Sequence, residues 1–160
     1  RRQRQMCIRD SSNNSFDFII TSPPYWDILD TVDHKSNERI NNDLDYKYSD
    51  TKEDLANIND YELFIDTLSS FFNECSNYLK KDKYMCVIVS DFRKKEKYYT
   101  FHADLAKAIE SKGNFILKGI RILYQRHKSI YPYGYPSSFV PNMHHQNVLI
   151  FQNRKNNGSK

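Results

Sequence analysis

Residues Thr21 to Trp26 read Thr-Ser-Pro-Pro-Tyr-Trp and stand directly behind the apolar run Phe16-Asp17-Phe18-Ile19-Ile20. Each proline holds φ at about −65° and lacks an N–H, and Pro24 also excludes Pro23 from the helical region. The chain therefore leaves its strand stiff and extended, with carbonyl oxygens that no local N–H claims. At the carboxyl end of a strand, where α/β sheets bind ligands, a hydroxyl, free carbonyls and an aromatic face suit a flat ring bearing N–H donors. A nucleobase is such a ring. The exocyclic amino group of cytosine or adenine is a poor nucleophile, because its lone pair is delocalised into the ring. The Ser22 side chain and the Pro23 carbonyl can accept its two N–H bonds, hold the nitrogen towards tetrahedral geometry and return the lone pair towards an electrophile. Pro24 shapes the loop and Tyr25 stacks on the base. A base in a duplex must first leave the stack, at about a few kcal/mol, and stacking in a pocket offsets part of that cost. The plainer reading is a Pro-Pro loop terminator with a packing tyrosine. The buried strand immediately before it favours the functional one.

A second cluster runs from Tyr124 to His145. Tyr124, Tyr131, Tyr133, Tyr135 and Phe139 are interleaved or flanked by Arg121, Arg126, His127 and Lys128. Cations neutralise phosphates, and aromatic rings stack on bases or sugars. Trp26, Arg121, Arg126, Lys128, Tyr133 and Tyr135 are therefore expected to contact nucleic acid. The alternative is a tyrosine-rich loop packed over a sheet edge by Pro132, Pro136 and Pro141. Charge agrees with the first reading: residues 30–66 hold eleven acidic and four basic residues, whereas residues 111–160 hold eight Lys or Arg and no acid. Such asymmetry suits a polyanion at the basic end, although a solvated surface gives the same composition. No metal site is expected, since His144-His145 lacks a third ligand and Asp43, Asp45 and Asp50 lack the glycine and terminal glutamate of a calcium loop. Asp91 either orients the target-base loop or caps a turn.

The elements that position these residues follow from periodicity. Ser15–Thr21 reads as a buried strand, and Asp27–Asn59 as a polar loop. Asn59–Leu79 reads as a helix, with Asn59 and Glu62 as a capping box and Leu63, Phe64, Leu68, Phe71, Phe72, Cys75 and Leu79 near a 3.6 period; Lys80-Lys81-Asp82 ends it. Tyr84–Val89 is an apolar run of strand length, buried on both faces. Thr100 caps a second helix over Phe101–Lys112, and Gly113 supplies its left-handed exit. Phe115–Tyr124 and Asn147–Phe151 are further strands, the last following without a helix and so antiparallel. Alternating strands and helices predict an α/β fold with a mostly parallel sheet.

Residues Ser15–Trp26 resemble the catalytic motif of the DNA amino-methyltransferases that act on cytosine N4 or adenine N6. Their pattern is an Asp-led hydrophobic strand, then Ser, Asp or Asn, then Pro-Pro and an aromatic residue; Asp17 takes the leading position and Ser22–Tyr25 match throughout. Within that family Ser at the first position leans towards cytosine and Asp towards adenine. Met85–Asp91 resembles the family's next core strand, and His145–Phe151 its late His-containing strand. The resemblance implies a partial Rossmann-like sheet, S-adenosylmethionine as methyl donor, DNA as partner and a place in restriction–modification. One departure is informative. The family holds its donor in a glycine-rich loop of the form Asp-Pro-Phe-x-Gly-Ser-Gly, whereas this chain has four glycines and no Gly-x-Gly. The expectation is thus an incomplete catalytic, target-base region over residues 1–153 with a flexible tail at 154–160, served by a complementary cofactor-binding segment or subunit. Arg1 in place of Met also predicts a fragment or processed product. Two other readings stand beside this one: a non-catalytic nucleic-acid-binding remnant, and an RNA or protein-glutamine amino-methyltransferase with a similar Pro-Pro-Tyr element.

The 160 residues are 39% apolar and contain no run long enough to span a membrane. Cys7, Cys75 and Cys86 have no ligand spacing; Cys75 and Cys86 lie in apolar stretches and read as buried small side chains, which fits a reducing cytosol.

Overall fold

The computed structural model describes residues 15–26, 55, 58–94, 96–128, 132–133, 140–141 and 143–155. The chain forms two compact units, one of residues 1–23 and 69–160 and the other of residues 24–68.

The first unit is organised by a four-stranded sheet. Its strands are β1 (Phe16–Thr21), β2 (Leu79–Val89), β5 (Phe115–Tyr124) and β8 (His145–Asn153), in the spatial order β1-β2-β8-β5. β1 runs parallel to β2, and β8 is antiparallel to both β2 and β5. Three strands thus share one direction. The antiparallel strand expected at the end of the chain is last in sequence but interior in space. Small antiparallel pairs join β3 (Phe92–Lys94) to β4 (Lys97–Tyr99) and β6 (Pro132–Tyr133) to β7 (Val140–Pro141).

The two faces of this sheet differ sharply. Residues paired across neighbouring strands share a face, so Met85, Val87 and Val89 of β2 lie beside Phe151, Leu149 and Asn147 of β8. All six are buried. Phe101, Leu105, Ala106 and Ile109 of helix α2 (Phe101–Ser111) are buried in the same unit, and α2 packs on β5 and β8. Each such aliphatic or aromatic side chain contributes about 1.5–3 kcal/mol when fully buried. The opposite face carries Phe18, Ile20, Tyr84, Cys86, Ile88, Val148, Ile150 and Ile116, and none of these is buried. The expected burial of β2 on both faces therefore holds for one face only.

Helix α1 (Tyr61–Cys75) is shorter than its apolar pattern predicts. Asp60, not Asn59, caps it: its Oδ1 accepts from Leu63 N at 2.7 Å. Phe64, Leu68, Phe72 and Cys75 form its buried stripe, leaving Leu63 and Phe71 exposed. The helix stops before Leu79 because Ser76–Tyr78 turn into β2. Lys80–Asp82, expected to terminate the helix, instead belong to an irregular start to that strand, with Asp82 at φ 61°. Their charges stay in water, and Lys80 Nζ pairs with Asp17 at 2.9 Å. α2 ends as expected, with Gly113 at φ 91°.

The second unit is described by Pro24–Trp26, Leu55 and Ile58–Leu68. Trp26 is one of its buried anchors. The indole is buried, its Nε1 donates to Ile58 O at 2.7 Å, and Tyr61 meets the ring edge-on with centroids 5.2 Å apart.

Candidate functional site

β1 and β2 are parallel and in register at Thr21 and Val87, so both end on the same side of the sheet. Ser22 and Pro23 leave β1 there, Ser22 exposed and Pro23 buried. Ser90 and Asp91 leave β2, and Ser90 Oγ donates to His145 O at 3.2 Å, where β8 begins. The hydroxyl and the first proline of the motif therefore occupy the carboxyl end of a parallel strand, the position the sequence predicts. Pro24 is exposed and Tyr25 half-buried; both belong to the second unit.

Asp91 resolves in favour of a cap. Its carboxylate is buried, and Oδ1 accepts from His102 N at 3.0 Å in the first turn of α2. Oδ1 also lies 2.6 Å from His102 Nδ1, and Oδ2 accepts from Tyr98 OH at 3.1 Å. A carboxylate at a helix amino terminus meets unpaired N–H groups and the positive end of the dipole. Thr100, the expected cap, makes no capping bond; its hydroxyl faces Asp104 instead. Burial first, then the Asp91 charge and hydrogen bond, push the Tyr98 phenol up. Nothing in the residue spacing pointed to Tyr98 or His102. The one available signal was an acid two residues after an apolar strand and ten residues ahead of a helix start.

The expected nucleic-acid contacts divide. Arg121, Arg126 and Lys128 are exposed, as is Tyr124. Tyr133 lies in β6, and Tyr135 falls outside the described residues. Trp26 is corrected: buried, with its N–H committed to Ile58 O, it offers no free stacking face and anchors the second unit.

Comparison with known families decides the affiliation: a family model described as DNA methylase matches residues 16–159. The chain belongs to this DNA methylase family. TTHA0409 from Thermus thermophilus, solved in complex with S-adenosyl-L-methionine, has a similar fold, with a TM-score of 0.61 at 18% identity. That match covers 98% of this chain and 55% of TTHA0409. PvuII DNA methyltransferase, cytosine-N4-specific, matches with a TM-score of 0.62 at 16% identity, covering 91% of this chain and 45% of its own. The chain spans about half the length of these solved structures. No curated protein matches the sequence.

The described glycines do not form the donor loop that the resemblance implies. Gly113 ends α2 and Gly119 sits at the irregularity in β5, so neither follows a strand at the carboxyl edge of the sheet. The other two lie outside the described residues, and no two glycines are close enough for a Gly-x-Gly loop. The described residues do not fit a complete methyl-donor site.

Proposed function

We propose that this chain supplies the target-base half of a DNA methyltransferase acting on an exocyclic amino group, cytosine N4 in preference to adenine N6. The observation that carries this reading is Ser22-Pro23 at the carboxyl end of β1, beside the end of β2, in a member of the DNA methylase family. Ser22 Oγ and the Pro23 carbonyl accept from the amino group, Pro24 fixes the backbone between them and the aromatic residue, and Tyr25 stacks on the displaced base. Catalysis on this side of the reaction is positioning. Arg121, Arg126 and Lys128 meet phosphates, with Tyr133 and Tyr135 as further contacts. S-adenosylmethionine is the methyl donor, held largely by residues other than these, and restriction–modification is the fitting physiological setting.

The test is transfer of labelled methyl from S-adenosylmethionine to duplex DNA by the natural gene product. Label is expected in N4-methylcytosine and is expected to be lost in Ser22→Ala and Tyr25→Ala. Label in N6-methyladenine would move the target base; label only in RNA or in protein glutamine would overturn the DNA reading. The glycine placement favours one second reading, a nucleic-acid-binding subunit without catalysis. DNA binding that retains its salt dependence, with no methyl transfer by the natural product, would establish it.

A further inference from the structure

Between Ser22 and the cations of the β5 end stands the β3–β4 hairpin, which the proposed function leaves without a role. Residues 92–99 contain four Lys or Arg and a single acid, Glu96. The root of the hairpin is fixed. Phe92 is buried, stacks on Tyr99 with centroids 5.2 Å apart and meets Phe101 of α2 at 5.7 Å. Tyr98 OH donates to the buried Asp91 carboxylate at 3.1 Å.

Register pairs Arg93 with Tyr98 and Lys94 with Lys97. Side chains alternate along each strand, so Arg93 stands on one face of the ribbon and Lys97 on the other. Both are exposed. The Arg93 guanidinium lies 5.7 Å from the centre of the Tyr98 ring and donates to Glu96 O at 3.0 Å, while Lys97 Nζ sits 4.7 Å from the centre of the Tyr99 ring. Among the described residues neither makes an ion pair. An aromatic ring orders a cation without cancelling its charge. The hairpin therefore presents two unneutralised cations on an anchored support.

Placement decides what they meet. The hairpin leaves the carboxyl end of β2, the strand beside β1. Ser22 leaves the same edge of the sheet one strand spacing away, about 5 Å. Arg121, Arg126 and Lys128 belong to or follow β5, which lies three spacings from β1, about 14 Å. A duplex carries one negative charge per about 1.7 Å of its axis. One laid along this edge with its displaced base at Ser22 passes several phosphates over the hairpin before it reaches β5.

We propose that Arg93 and Lys97 grip the phosphates next to the displaced base and hold the duplex while that base is out of the stack. That the polyanion is DNA and that a base is displaced rest on the proposed function; the hairpin's readiness for phosphate rests on its own geometry.

The test measures the affinity of the natural gene product for a mixed-sequence duplex across a salt series. Each phosphate contact contributes about 0.9 to the slope of log affinity against log salt, so Arg93→Gln/Lys97→Gln should lower that slope by about two. Lys81→Gln/Lys107→Gln removes the same charge from the far end of β2 and from α2, and should leave the slope unchanged. An unchanged slope in the hairpin variant, or an equal fall in both, would overturn the proposal. If the hairpin variant does not fold, the unmutated protein decides. Acetylation by an N-hydroxysuccinimide ester should be several-fold slower at Lys97 when duplex is bound and unaltered at Lys81. Equal rates at Lys97 with and without duplex would sink the idea, as would protection by RNA alone. A hairpin-dependent slope without methyl transfer would leave the grip standing and remove the catalytic reading. Methyl transfer with a slope indifferent to the hairpin would do the reverse.

Discussion

The two ends of β2 both bury polar groups, and they do so with different chemistry. At its start, Asn153 Nδ2 donates to Ser76 O at 3.0 Å and to Leu79 O at 2.7 Å. Asn114 Nδ2 donates to Ser76 Oγ at 3.0 Å, and Ser76 Oγ donates to Asn73 O at 2.6 Å. Every group there is neutral, and the strongest bonds go to backbone carbonyls. At its finish, the buried group is the Asp91 carboxylate, shared between a helix terminus, an imidazole and a phenol. The first arrangement closes the fold. The second holds charge next to an open edge, where the exposed Ser22 emerges. Polar burial alone therefore does not distinguish the two ends; the charge of the buried group does.

Substitutions at the two ends should separate these roles. The largest effect is expected from Asn153→Ala, which strands two carbonyls and costs about 2–4 kcal/mol of stability in urea unfolding. A loss below about 1 kcal/mol would show that water replaces the amide and that this end is not sealed. Ser22→Ala should lower methyl transfer by the natural product about a hundredfold, by analogy with the loss of one hydrogen-bonding group at a reacting centre. Its unfolding midpoint should stay where it was, and a comparable fall in stability would make Ser22 a structural residue. Asp91→Ala should cost about 1 kcal/mol through the lost cap. It should also alter the alkaline limb of the stability profile. Tyr98 titrates above its usual 10.0 in the fold, so its contribution is present below that value and is lost as pH rises through the raised one. Without Asp91 the rise is smaller and the alkaline loss shrinks, which a pH series of unfolding midpoints reads directly. The smallest effect belongs to Asp17→Asn. Its lysine pair lies in water, where such pairs contribute little, although the Lys80 hydrogen bond holds the carboxyl below its usual 3.8. The contribution is present above that value and is lost as pH falls through the lowered one, so only a slight flattening of the acid limb is expected.

Much of this organisation was legible from residue order. The bounds of β5 and the exit of α2 at Gly113 followed from alternation and from one left-handed glycine. The motif was readable because prolines constrain the chain locally, whatever packs around them. Local pattern failed where tertiary contacts chose between equal candidates. Asn59 and Asp60 are both good caps, and only the backbone path selects Asp60. Lys80–Asp82 look like the end of a helix until pairing of Leu79 and Tyr84 with β1 draws the segment between them into a strand. Trp26 next to a Pro-Pro-Tyr motif invites a binding role, and its indole is instead sequestered by a carbonyl 32 positions downstream. Tyr98 and His102 were invisible because their partnership with Asp91 exists only after a hairpin returns the chain to the end of β2.

The place of β8 has a consequence for how the molecule is made. The strand that bridges β2 and β5 is the last in chain order, so neither can join the other until residues 145–153 are available. During synthesis β5 has no sheet to enter, and its apolar side chains must wait. Closure of these distant pairings carries a loop-entropy cost before any of it is recovered, which slows folding. Removing the final strand would divide the sheet in two rather than trim its edge.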